Sequence, residues 1–307
     1  MRAVSPILVM ARPDDAMLGW SLIPTEENAM NFAVLLSPYK PIPASVPDWP
    51  TDLVATWPAT TATLILGERE AVLVDALMTT DEGQCLAAWV AGFERDLTAV
   101  YVTHGHADHF FGAGAVLAAN PAASFVTLPE LRPFAEQQLS PGYLGLWNAF
   151  FPGHVDPAPA VPGAMTGTRL TVDGRTVVPH NVGRSDADPS SVVEVPDLSL
   201  VVAGDVAYNR THMWLAGADA AARTAWLDAL DTVAKLQPAT VIAGHKDPGA
   251  PDDDGPRILD ESRQYLSDFG DAVDASDSAA ELIGRMTAKY PGWGNPYTLW
   301  IAAQDRW

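Results

Sequence analysis

Thr103-His104-Gly105-His106-Ala107-Asp108-His109-Phe110 is the stretch on which the reading of this chain turns. Three histidines and one aspartate follow the apolar run LTAVYVT (97–103) directly. A buried strand that ends in several imidazoles needs partners for their nitrogens, and metal ligation supplies them. His104 and His106 stand two apart, so in extended backbone they point the same way and can share one metal. Asp108 and His109 come after a turn and can serve a second metal beside the first. Gly105 allows close backbone placement. Imidazole with carboxylate suits zinc, and also iron or manganese.

Two later stretches repeat the pattern of an apolar strand running into a ligand. LSLVVAGDVAY reads as a buried strand ending at Gly204–Asp205, where a carboxylate can bridge two cations; a turn cap is the plain alternative. ATVIAGHKD reads as another, ending at Gly244–His245, whose imidazole suits the second metal; an ordinary loop histidine is the alternative. Sites collect where strands end.

Around these landmarks the elements follow from periodicity and punctuation. TATLILG and AVLVD are strands joined by a turn at Gly67–Glu70, and GQCLAAWVAGF is a helix that places Cys85 in the core. FFGAGAVLAAN begins a helix that Asn120–Pro121 ends, SFVTL is a strand, and PELRPFAEQQL is a helix with proline in its first turn. Strands resume at TRLTV, RTVVPH and SSVVEVP. DAAARTAWLDALDTVAKL is an amphipathic helix, and further helices are expected near 256–275 and 278–290. Residues 141–167, rich in Pro, Gly and aromatics, read as a long connection or lid.

Residues 1–60, centred on PYKPIPASVPDWP, read as an irregular proline-rich arm with a few edge strands, packed on a single domain of residues 61–307. Two halves of strands and helices suggest two sheets face to face with helices outside. A doubly wound sheet answers the same pattern, because both need apolar strands covered by helices.

Composition narrows the partners. The 307 residues are 48% hydrophobic, enough for a packed core. The formal charge of -20 repels phosphate backbones, so no nucleic acid is expected as a partner. One cysteine allows no intrachain disulfide. No apolar run is long enough to span a membrane, and MRAVSPILVMARPDD lacks the core of a secretory signal. The expectation is a cytoplasmic protein with a small-molecule substrate and no membrane partner. The WLDAL helix or the tail with Trp293 and Trp300 could form a homodimer face; the tail could equally fold over its own core.

With these residues in view, the sequence resembles the metallo-beta-lactamase superfamily over roughly residues 60–250. THGHADH (103–109) matches the HxHxDH signature, Gly204–Asp205 the bridging aspartate, Gly244–His245 the last metal histidine, and Asp75 the aspartate that supports the ligands from behind. The resemblance implies an α/β fold, a metallo-beta-lactamase-like αβ/βα four-layer sandwich, with a dinuclear zinc site at one edge. It implies a zinc-dependent hydrolase and leaves the substrate open, because the superfamily spans many reactions.

One departure stands out. The family normally supplies a third histidine to the first metal between the cluster and Asp205. Here Gly183 is followed by Arg184 and Ser185. His180 or Asp186 can take the place, or the first site is open. Arg184 can bind a substrate carboxylate or phosphate. His212 is a candidate catalytic donor to substrate and Tyr208 a weaker one, while His154 reads as a solvent-facing loop residue. Asp108 orients the nucleophile and carries its proton. A lactone or beta-lactam-like ring is the first expectation for substrate. A thioesterase, a phosphodiesterase and a metal-binding protein without hydrolytic activity are the alternatives.

Overall fold

The structure is a computed structural model that describes residues 7–9 and 30–307. Apart from residues 7–9, the first half of the arm and the secretory-signal stretch lie outside the described residues.

Two sheets form the body. The first has seven strands in the order β1 (Ile7–Val9), β2 (Asn31–Leu36), β5 (Thr61–Leu66), β6 (Glu70–Val74), β7 (Asp96–Tyr101), β8 (Ser124–Thr127) and β9 (Gly163–Ala164). The second has five, β10 (Leu170–Val172), β11 (Arg175–Gly183), β12 (Ser190–Val195), β13 (Leu200–Asn209) and β14 (Thr240–Lys246). A small hairpin of β3 (Lys40–Pro41) and β4 (Thr56–Trp57) stands apart. Parallel pairing runs from β6 through β9 and joins β13 to β14; β2–β5–β6 and β10 through β13 are antiparallel.

Strand alternation creates the layers. In β2, Phe32 and Val34 face the second sheet, and Ala33 and Leu35 face out. In β13, Leu200 and Val202 face the first sheet, while Val201 and Ala203 face out. One core therefore lies between the sheets, with Val72, Val74, Tyr101, Val193 and Ile242 in it. The outer face of the first sheet is covered by α1 (Thr80–Ala91) and α2 (Ala113–Ala119). That of the second is covered by α5 (Ala220–Lys235) and α6 (Gly255–Asp274), with α7 (Ala279–Lys289) and α8 (Pro296–Gln304) beyond. This is a helix–sheet–sheet–helix sandwich, so the doubly wound alternative falls away.

Several expectations change. The proline-rich arm supplies β2, an inner strand between β1 and β5 rather than an edge, because NFAVLL is apolar on both faces. Residues 141–167 are not a structureless lid. After α3 (Arg132–Gln137) they form a further helix, α4 (Pro141–Phe150), since Pro141 sits harmlessly in the first turn. Cys85 is exposed, because Leu86, Trp89 and Val90 carry the buried stripe of α1 instead. The C-terminal tail folds on its own body: Trp293 stacks on Tyr265, and Trp300 meets Trp49 edge-on. No described helix is long and apolar enough to cross a membrane.

Candidate metal centre

Each site residue leaves the scaffold where a strand delivers it. His104 and His106 follow β7, and Ala107–His109 is a single 3-10 turn that swings Asp108 and His109 round. Asp186 lies in the loop between β11 and β12. His245 sits at the end of β14, as the sequence suggested, whereas Asp205 lies in the middle of β13, which runs on to Asn209. The β13–β14 register breaks between Gly204 and Tyr208, where four residues of one strand span two of the other. Such a bulge re-aims side chains without ending the strand, and here it turns Asp205 inward. Gly204 has φ +49°, and a Cβ there would strike Thr103. A Cβ on Gly244 would collide with the Asp205 carboxylate. The glycines that precede Asp205 and His245 are thus required by space.

Three overlapping clusters result: His104, His106 and Asp186; Asp108, His109 and His245; and His104, His109 and Asp205. His106 Nδ1 lies 2.8 Å from Asp186 Oδ2 and 3.2 Å from His104 Nε2. Asp205 faces both sides, with Oδ1 3.2 Å from His109 Nε2 and Oδ2 3.1 Å from His245 Nε2. His245 Nε2 is also 3.3 Å from Asp108 Oδ2.

The surrounding shell decides which nitrogen each imidazole offers. His109 Nδ1 donates to Asp75 Oδ2 at 2.8 Å. Asp75 also accepts from the Thr103 amide and hydroxyl, each at 2.8 Å. With its proton spent on Asp75, Thr103 Oγ1 can accept from His104 Nδ1 at 3.1 Å. His245 Nδ1 donates to the Ala59 carbonyl at 3.2 Å. Three imidazoles therefore turn Nε2 toward a common centre. Tyr208 donates to Asp205 Oδ2 at 2.8 Å, and the Trp57 indole donates to Asp108 Oδ2 at 2.9 Å. Ser185 donates to Asp186 Oδ1 at 2.9 Å.

Electrostatics point the same way. Burial and the neighbouring His109 push the His104 pKa down to about 3. Burial also disfavours charge on His109, but Asp205, Asp75 and Asp108 outweigh it and raise its pKa well above the ordinary value. At His245 burial is again outweighed, by Asp205 and Asp108, and the pKa rises to about 9. Asp108 and Asp205 are pushed up by burial, yet His109 and His245 hold both below the usual carboxylate range. The carboxylates demand positive charge at the centre, from protons or from a cation. A cation also answers an otherwise costly arrangement: His109 Nε2 and Asp205 Oδ1 are buried and have no hydrogen-bond partner among the described residues. The residues present fit a divalent metal.

The other candidates fall elsewhere. His180 pairs with Glu194 at 2.7 Å and belongs to none of the clusters; its strand position points it across the β11–β12 ladder, so it does not complete the first group. His212 is buried with Nδ1 2.8 Å from Tyr265 Oη and its ring near Trp293, outside all three clusters. Arg184 reaches Asp188 at 3.6 Å. Tyr208 is engaged with Asp205 rather than standing free. His154 is exposed beside Asp81. Sequence reasoning passed over Trp57 and Ala59, because a tryptophan in the short strand Thr56–Trp57 carries no ligand signal.

A profile of the metallo-beta-lactamase superfamily matches residues 55–245. The chain belongs to that superfamily. Among solved structures it is similar to a metallo-beta-lactamase from Pontibacter korlensis, at 17% identity, TM-score 0.52, with 73% of this chain and 92% of that one covered. A metallo-beta-lactamase family protein from Thermus thermophilus aligns at 17% identity and TM-score 0.56, covering 88% of this chain and 91% of its own. The FIM-1 metallo-beta-lactamase of Pseudomonas aeruginosa, in its mono-zinc form, aligns at 14% identity and TM-score 0.51, covering 75% and 95%. At these identities the likeness is one of fold. A search of curated proteins finds no match.

Proposed function

We propose that this chain is a metal-dependent hydrolase of a small-molecule cyclic ester or amide, with a centre that takes two divalent cations, zinc first among them. The observation that carries the reading is the pair His109 Nε2 and Asp205 Oδ1, buried, 3.2 Å apart and without hydrogen-bond partners among the described residues. His104, His106 and Asp186 would hold one cation, and Asp108, His109 and His245 the other, with Asp205 between them. When bound, such cations lower the pKa of water and polarise a substrate oxygen.

The chain's own residues do the rest. Asp75, Thr103 and Ala59 fix the imidazole orientations, and Tyr208 fixes the central carboxylate. Asp108 would orient the attacking water and take its proton. His106 has the most open side chain of the group, 20% exposed, so substrate approaches from its side. Phe134 meets the His106 ring edge-on at 5.2 Å and gives that approach an apolar wall. The acidic chain and apolar approach support a small uncharged ring over a nucleic acid.

The test is a panel of lactones, beta-lactams, thioesters and phosphodiesters, run before chelation, after it, and after zinc is restored. Lactone or beta-lactam turnover that disappears and returns supports the proposal. Turnover of thioesters or phosphodiesters alone would replace the substrate class, and no turnover in any arm would contradict the enzyme.

A further inference from the structure

Trp57 belongs to β4, outside both main sheets, yet its indole reaches the centre of the molecule. Its N–H donates to Asp108 Oδ2 at 2.9 Å, and the residue is buried. Two residues on, the Ala59 carbonyl accepts from His245 Nδ1. The short segment 57–59 thus grips two members of the Asp108, His109, His245 cluster from outside. The third member, His109, is gripped by Asp75. The Trp57 ring is itself confined, with Trp147 edge-on at 5.4 Å, Phe151 at 5.9 Å, and Trp214 and Phe150 each at 5.5 Å.

We infer that Trp57 is a positioning residue for the second metal, fixing the Asp108 carboxylate through its indole N–H. The inference rests on reading the site as a dinuclear metal centre. A carboxylate oxygen that accepts a directed N–H bond loses torsional freedom and keeps its remaining lone pairs for the ion. The confined ring makes the donor rigid, so the carboxylate is oriented before a cation arrives. The hydrogen bond goes to Asp108 and not to His104, His106 or Asp186, so the effect belongs to one cation.

Competitive titration of the metal-free full chain with zinc against a chromophoric chelator, resolving two equivalents, tests this. Trp57→Phe keeps a ring and removes the donor. Trp147→Phe is the matched control: Trp147 is equally buried, touches Trp57, and donates to Gln138 at 3.0 Å rather than to a ligand. The expected result is a weakening of about 10–100-fold in one equivalent for Trp57→Phe, the other unchanged, and wild-type behaviour for Trp147→Phe. Trp57→Leu, which also lacks the donor, gives the same one-site loss and stands in if the phenylalanine variant does not fold. Unchanged affinities in a folded Trp57 variant, or equal losses in both equivalents and in the control, overturn the inference while leaving the metal centre standing. A wild-type chain that binds no zinc overturns both.

Discussion

Asp186 carries the sharpest expectation of any single residue. Its carboxylate joins His104 and His106 in one cluster, held by Ser185 and set against His106. Asp186→Ala is predicted to remove one zinc equivalent measured by elemental analysis, and His180→Ala to remove none. Loss of zinc on changing His180 would contradict the geometry. Sequence alone left these two residues tied, since both lie near Arg184. The structure separates them: the His180 side chain pairs with Glu194, while Asp186 lies against His106. By contrast, His104, His106, Asp108, His109, Asp205 and His245 were legible as candidate ligands, because the 104–109 cluster follows one apolar run and Asp205 and His245 each follow another. Gly244→Ala is predicted to lower zinc affinity at least tenfold with the fold intact by circular dichroism, because the new methyl displaces Asp205. Unchanged affinity would mean the strand shifts to make room.

At the scale of elements, α1 depends on a remote partner. Thr79 caps it and Glu82 completes a capping box, while Lys40 of β3 pairs with Glu82 at 2.9 Å. Both side chains are largely buried, so removing one strands the other's charge. Lys40→Met is predicted to cost about 3 kcal/mol in urea unfolding. Burial pushes the Glu82 carboxyl up, but Lys40 and the Thr79 amide outweigh it and hold it below the ordinary glutamate value. Its stabilising effect is therefore full above that ordinary value, about 4.3, and is lost as pH falls through the lower folded value. The melting-temperature gap between wild type and Glu82→Gln should be widest near neutrality, begin to narrow as pH falls below about 4.3, and close only below the lower folded value. A gap independent of pH would show that the charge on Glu82 contributes nothing.

Most elements were readable because alternation and capping are local. α4 was hidden because its glycines and proline read as loop punctuation, whereas its stability comes from packing Trp147 into a distant aromatic cluster. β2 was hidden in a similar way: proline-rich neighbours obscured a strand that tertiary pairing makes internal.

For the whole molecule, the centre joins parts that are far apart in sequence. The β7 exit, the β11–β12 loop, β13, β14 and the arm segment at Trp57 all meet there, and Ser191 ties the sheets together by bonding to the Thr103 carbonyl. The two halves of strands and helices suggested the four layers, and the family resemblance chose between them and a single wound sheet, since apolar strands covered by helices suit both. The interleaved faces of β2 and β13 decide it. A ligand that binds the folded state alone stabilises it, so chelation is predicted to lower the melting temperature and zinc to restore it. The most direct test of the central claim is the metal content of the wild-type chain purified without chelator. Two equivalents of divalent metal per chain are predicted. A chain that is folded and metal-free, and stays so when zinc is offered, would contradict the account.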